Sequence, residues 1–229
     1  MITAGCFLFG SSARGDADSA SDTDVLIVYD REPSPLDRQR AKESVTEQLL
    51  QDCAFAEYTW QRLADMFADG HLFAWHLHHE ARPLRVSGFG DREFSLPKPA
   101  PYLSSRRDAL NFVALLGSCV RALEGRTASL VYEAGLGYVA IRNVGMSLSA
   151  LALARPEFDR HVPFKVAQAL LTPPPCDYGV YELMVAARHS SQRGLDEPSL
   201  DANTLLSALM GAHHWAEVAL EIVHDITVV

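Results

Sequence analysis

The chain contains no apolar stretch approaching the roughly 20 residues needed to cross a bilayer, and no Lys/Arg-flanked apolar segment opens it. A membrane partner is therefore not expected. Basic residues are in the minority. Twenty Lys and Arg stand against 29 Asp and Glu, giving a net charge of −9. A protein that grips nucleic acid through its phosphates needs clustered Lys and Arg, so this balance argues against that class and suits a cationic partner. Cysteine is sparse and scattered (Cys6, Cys53, Cys119, Cys176), with no metal-type spacing, so a reduced, cytoplasmic protein is expected. What remains is ordinary globular composition, 48% hydrophobic and 21% charged, with chain enough for one large domain or two small ones.

The informative stretch lies near the start. An apolar run, Cys6 to Phe9, ends at Gly10-Ser11-Ser12-Ala13-Arg14-Gly15. After a short Gly- and Asp-rich connection, Ser21-Asp22-Thr23-Asp24 leads into a second apolar run, Val25 to Val28. Side chains alternate faces on a strand, so Asp22 and Asp24 point to one side and Thr23 to the other. Two carboxylates that close repel unless a cation lies between them, and hard oxygen ligands favour Mg²⁺. Gly10 lets a phosphate approach the backbone, where the Ser11 hydroxyl and nearby N–H groups can hold it. A phosphate-cradling turn beside paired carboxylates suggests metal-assisted phosphoryl or nucleotidyl transfer.

These residues resemble the signature of the nucleotidyltransferases related to DNA polymerase beta, and more narrowly the small bacterial minimal nucleotidyltransferase type. The resemblance covers roughly residues 2 to 86. It implies that Gly10, Ser11, Arg14 and Ser21 bind an NTP, with Arg14 supporting the turn or a phosphate. It further implies that Asp22 and Asp24 hold two Mg²⁺ ions. In that family a third carboxylate, on the strand after an intervening helix, completes the metal site. Glu57 falls at the matching place, where Asp is more usual. The alternative is an exposed strand glutamate, which leaves a protein that binds nucleotide without efficient catalysis. Relatives of this type carry a helix before the first strand. This chain departs from them, so the fold is trimmed here or the true start lies upstream.

The pattern predicts strands over 2–9 and 23–29, a helix capped by Asp37 and running to about Leu50, and a strand over 53–60. A helical stretch then spans 61–80, and a closing strand follows within 81–86. His71, His76, His78 and His79 crowd the second helical stretch. His76, His79 and Glu80 share i,i+3 and i,i+4 spacing, one helical face that zinc can use, although no His-Glu-x-x-His pattern or nearby cysteine accompanies it. A surface helix with several histidines is the plainer reading.

Gly88, Gly90 and Pro97, Pro99 and Pro101 mark a linker. The predicted organisation is a nucleotidyltransferase domain over 1–86, a linker over 87–101 and a helical domain over 102–229. After the linker the pattern is almost wholly helical. One stripe (Leu110, Val113, Ala114, Gly117, Val120, Leu123) ends at Gly125, a long helix covers 129–154, and further stretches follow the Pro173-Pro174-Pro175 break. The expected fold class is α+β: a small mixed sheet with flanking helices, followed by an α-helical bundle.

The helical half resembles the HEPN domain in Arg142-Asn143 and in the Arg155-to-His161 spacing, but the family's histidine does not follow Asn143 at short distance. An RNase reading is therefore set below that of a silent HEPN-like bundle. Glu133, Asp177 and Glu182 are candidate general bases, none assigned, and Arg142, Arg188 and Arg193 are candidates to reach a triphosphate. The expected function is Mg²⁺-dependent transfer of a nucleoside monophosphate, AMP from ATP, to a hydroxyl of a small molecule such as an aminoglycoside or of a protein. The alternatives are an antitoxin-like partner-binding module and a nucleotide-binding protein that has lost catalysis. The 129–154 helix also offers a face for a homodimer.

Overall fold

The computed structural model describes residues 3–15, 22–89, 96–125, 129–194 and 196–228, with the side chains of residues 3, 193 and 226–228 left aside. The chain divides into two compact units, Met1–Leu103 and Ser104–Val229.

In the first unit, β1 (Thr3–Phe9) and β2 (Thr23–Tyr29) pair antiparallel around the five-residue helix α1 (Gly10–Arg14). β2 then pairs in parallel with β3 (Cys53–Thr59), which requires a crossover, supplied by α2 (Pro35–Leu49). Two further helices, α3 (Trp60–Ala68) and α4 (Leu72–Glu80), precede the two-residue strand β4 (Arg82–Pro83) on the other edge of β1. The order β3-β2-β1-β4 makes a mixed sheet, as the α+β reading expects. β2 is central, and Val25 to Val28 are fully buried. Alternation along it feeds two cores. Leu26 and Val28 join Phe7, Phe9, Leu63, Phe67 and Leu77 beneath α3 and α4, whereas Val25, Ile27 and Tyr29 join Cys6, Ala41 and Val45 beneath α2.

Local chemistry explains the helix ends. α2 is capped by Ser34, not Asp37. Ser34 Oγ accepts from the Asp37 N–H while Asp37 Oδ2 accepts from the Ser34 N–H, a closed capping box with Pro35 in the first turn. The expected 61–80 helix is two helices because Gly70, at φ +63°, turns the chain where residues 100 and 101 cross it. A Cβ there would stand 2.3 Å from the Pro101 carbonyl oxygen. Segment 96–101 is thus tied to the first unit. The Ala100 N–H donates to the Phe67 carbonyl (2.9 Å), and Trp75 Nε1 donates to the Ala100 carbonyl (2.9 Å).

The second unit is helical: α5 (Ser105–Glu124), α6 (Leu130–Ala152), α7 (Val162–Ala169), α8 (Tyr178–Arg193) and α9 (Ala202–Val228). α6 packs against each of the others and is buried almost all round, as an apolar helix without a polar face must be. Its glycines permit close approach; a Cβ on Gly145 would meet Pro163 at 2.8 Å, and one on Gly135 would meet the Arg188 Cα at 3.2 Å. On α5 the buried stripe is Ala109, Val113, Leu116, Cys119 and Leu123, one step round from the expected one, and Leu110 is exposed.

Candidate active site

β1 delivers the chain to Gly10, which sits at φ +71° directly beside the Asp24 carboxylate. A Cβ on Gly10 would lie 2.3 Å from Asp24 Oδ2. The closeness follows from register, because Phe9 and Asp24 are partners across the β1–β2 ladder. Ser12 ties α1 to the start of β2, its Oγ donating to the Asp22 carbonyl (3.3 Å) and lying 3.5 Å from Thr23 Oγ1. Gln51 Nε2 donates to Thr23 Oγ1 from the far side (3.0 Å). Gly10, Ser11, Asp22 and Asp24 are thereby gathered at one end of β2, with Asp22 exposed and Asp24 half-buried. The missing Cβ lets the Asp24 carboxylate lie against the turn, and two acceptor-only carboxylates at one end of β2 suit a hard divalent cation.

Arg14, at the end of α1, points to α4. Its NH1 donates to Glu80 Oε2 at 2.7 Å, and His76 Nε2 lies 2.8 Å from the same oxygen. Burial alone would raise the pKa of Glu80, but His76 and Arg14 outweigh it and hold the carboxyl below its ordinary value. His76 and Glu80 were visible in the sequence as an i,i+4 pair; the arginine they serve was not.

Glu57 is not brought to the aspartates. In the parallel ladder Asp24 is partnered by Ala54, whereas Glu57 is partnered by Ile27 and shares the α2 face of the sheet. There Tyr29 Oη donates to Glu57 Oε1 (2.9 Å), Lys42 Nζ lies 2.5 Å from Oε2, and Arg38 NH1 is 3.8 Å from Oε1. Strand parity turns Glu57 to the other face, where a lysine and a buried tyrosine hold it. Among the described residues no three His, Cys, Asp or Glu side chains form a metal-holding group.

Residues 3–63 match the family model of the nucleotidyltransferase domain. The match lies within the first unit. Among solved structures the chain is similar to spectinomycin adenyltransferase AAD(9) from Enterococcus faecialis, determined with ATP and spectinomycin. The identity is 12%, the alignment covers 94% of this chain and 92% of that one, and the TM-score is 0.45. No curated protein matches the chain.

In the first unit the other expected residues lie away from the Asp22–Asp24 pair or outside the described residues. Ser21 lies outside the described residues, as does the side chain of Arg193. His71 caps α4, its Nδ1 accepting from the Phe73 N–H (3.1 Å), while His78 and His79 pack their rings against Trp75. An apolar groove of about 510 Å³, lined by Trp60, Leu63, Phe67 and Leu96, lies along α3 and does not include the aspartates. In the second unit Asp177 caps α8, Glu133 is buried beside Cys119, and Glu182 pairs with His161 (2.7 Å). Arg142 NH2 donates to the Phe158 carbonyl and Arg155 pairs with Glu157, so neither arginine is joined to His161 by these bonds. No helix among the described residues is long and apolar enough to cross a membrane.

Proposed function

We propose that the protein binds a nucleoside triphosphate, ATP first, together with Mg²⁺ at Gly10, Ser11, Asp22 and Asp24, and transfers the nucleoside monophosphate to a hydroxyl of a small molecule or a protein. The observation that carries this reading is the contact between Gly10 and Asp24. A glycine in the left-handed region, with no room for a Cβ against a carboxylate, is the arrangement that lets a phosphate and a cation meet at one point. A cation held by Asp22 and Asp24 would draw charge from the phosphate oxygens and the leaving pyrophosphate. The chain's own groups do the rest. Backbone N–H groups at Gly10 and Ser11 orient the triphosphate, and Asp22 and Asp24 would hold the cation beside it. The acceptor oxygen forms the new bond to the α-phosphorus as the bond to the β-phosphate oxygen breaks. No base for the acceptor's proton is assigned to Glu57, whose two oxygens are engaged with Tyr29 and Lys42.

That engagement also favours a second reading, a nucleotide-binding module with impaired transfer. Calorimetry with ATP, GTP, CTP and UTP, with and without Mg²⁺, tests the shared part. Mg²⁺-dependent binding lost in Asp22→Asn/Asp24→Asn supports the site, and no binding to folded protein overturns it. Pyrophosphate release in an acceptor screen separates the two readings.

A further inference from the structure

The turn that carries Gly10 and Ser11 is a single five-residue helix, too short to be stable alone, and no side chain caps its start. Something else must hold its shape, and α4 does so from both ends. Just before the turn, the Phe9 ring packs edge-on against Phe73 (5.6 Å between centroids) and His76 (5.5 Å). Just after the glycine and serine, Arg14 is bonded to Glu80, which also receives His76. The pair is protected from water, with the Glu80 side chain 7% exposed and that of Arg14 23%. Glu80 is the last residue of α4, where the helix dipole disfavours a carboxylate, so α4 gains nothing from a glutamate there unless a cation comes to it. Arg14, by contrast, sits at the end of α1 where a cation is favoured.

We infer that Glu80, seconded by His76, is the positioning residue of the nucleotide site: it fixes the Gly10–Arg14 turn through Arg14 and governs triphosphate affinity without touching the nucleotide. Arg14 acts on the turn and not on a phosphate. The inference rests on the proposed nucleotide site, but its first readout does not. Hydrogen exchange of the peptide spanning Gly10–Gly15, measured on the full chain without nucleotide, should accelerate about tenfold in Glu80→Gln, the scale of one charge-assisted hydrogen bond. Exchange in β2 and in α5–α9 should stay as in the wild type. Unchanged exchange at the turn overturns the inference even if the protein binds no nucleotide at all.

The second readout is a cycle of Arg14→Gln, Glu80→Gln and the double variant, with ATP–Mg²⁺ affinity measured by calorimetry. Each single variant should weaken binding about tenfold, and the double variant no further than either, because both remove one contact. Additive losses would overturn the inference and make Arg14 a direct phosphate ligand. If the wild type binds ATP and Glu80→Gln binds it equally, the positioning role fails while the nucleotide site stands. Should Glu80→Gln fold poorly, Glu80→Asp, which keeps the charge and shortens the reach, replaces it, with the same outcomes expected at smaller amplitude.

Discussion

Glu57 stands opposite Ile27 in the parallel β2–β3 ladder, three residues beyond Ala54, the partner of Asp24, and on the other face of the sheet. Its carboxylate is held at 13% exposure by Lys42 and Tyr29. Glu57→Gln is therefore expected to leave Mg²⁺-dependent nucleotide affinity unchanged while Asp22→Asn/Asp24→Asn abolishes it, as calorimetry would show. Glu57→Ala should cost about 1–3 kcal/mol of stability, read from urea unfolding, since it strands the buried Tyr29 hydroxyl. A loss of metal binding in Glu57→Gln would return it to the site.

The same register makes a constructive prediction. Ala54 is exposed and shares its sheet face with Asp24, so Ala54→Asp sets a carboxylate beside the aspartate pair. Mg²⁺ affinity should rise about tenfold, roughly 1.4 kcal/mol, with little effect on the melting temperature. Weaker Mg²⁺ binding would mean that added repulsion outweighs the new ligand.

Gly10→Ala meets two obstacles at once, a backbone at φ +71° and a Cβ 2.3 Å from Asp24 Oδ2. Stability should fall by about 1–3 kcal/mol, and nucleotide binding should vanish because Asp24 must move aside. Gly15→Ala, at φ +83° but with open space around it, should cost the backbone term alone and retain binding.

The thiols are predicted to be inert. Burial pushes Cys6 up to about 12, and Cys119 and Cys176 likewise to about 12, the latter two also through Glu133 and Asp177. For an acid whose folded pKa is raised, stability is full below the unfolded value of 9.0 and is lost as pH climbs from there toward 12. Iodoacetamide at pH 8 should label the native protein slowly, Cys53 first because it is only half-buried, and label all four sites in denaturant.

Glu80 shifts the other way. A carboxyl with a lowered folded pKa contributes stability that is complete above its unfolded value and disappears as pH falls through the folded one. The melting temperature should accordingly drop on the acid side below the ordinary carboxylate range. In Glu80→Gln that limb should be flatter, and the neutral-pH melting temperature lower.

The hairpin and its aspartates were legible in the sequence because everything that defines them is local: Gly10, the spacer and Asp22-Thr23-Asp24 lie within 15 residues of one another. β3 was legible as a strand but not as a register. It is covered on both faces, by Ala56 and Tyr58 on one and Phe55 on the other, so no polar alternation betrays which side Glu57 takes. The α2 cap was misplaced by one turn because Ser34 and Asp37 are both cap-forming residues, and only the reciprocal bonds tell the cap from its partner. On α5, exposed Leu110 and buried Ala109 reverse what hydrophobicity alone suggests. Arg14 and Glu80 carry no mutual signal, being an ordinary cation and an ordinary anion far apart.

That distance has a consequence for synthesis. Arg14 and Glu80 are 66 residues apart, and a chain made from its N-terminus completes the β1–β2 hairpin long before α4 exists. Parallel pairing of β3 waits for the α2 crossover, and the brace waits longer still. A nascent chain on the ribosome therefore carries the whole signature motif yet lacks the support for its turn until residue 80 has emerged. On the proposed reading, nucleotide meets a finished unit rather than serving as the template on which it folds.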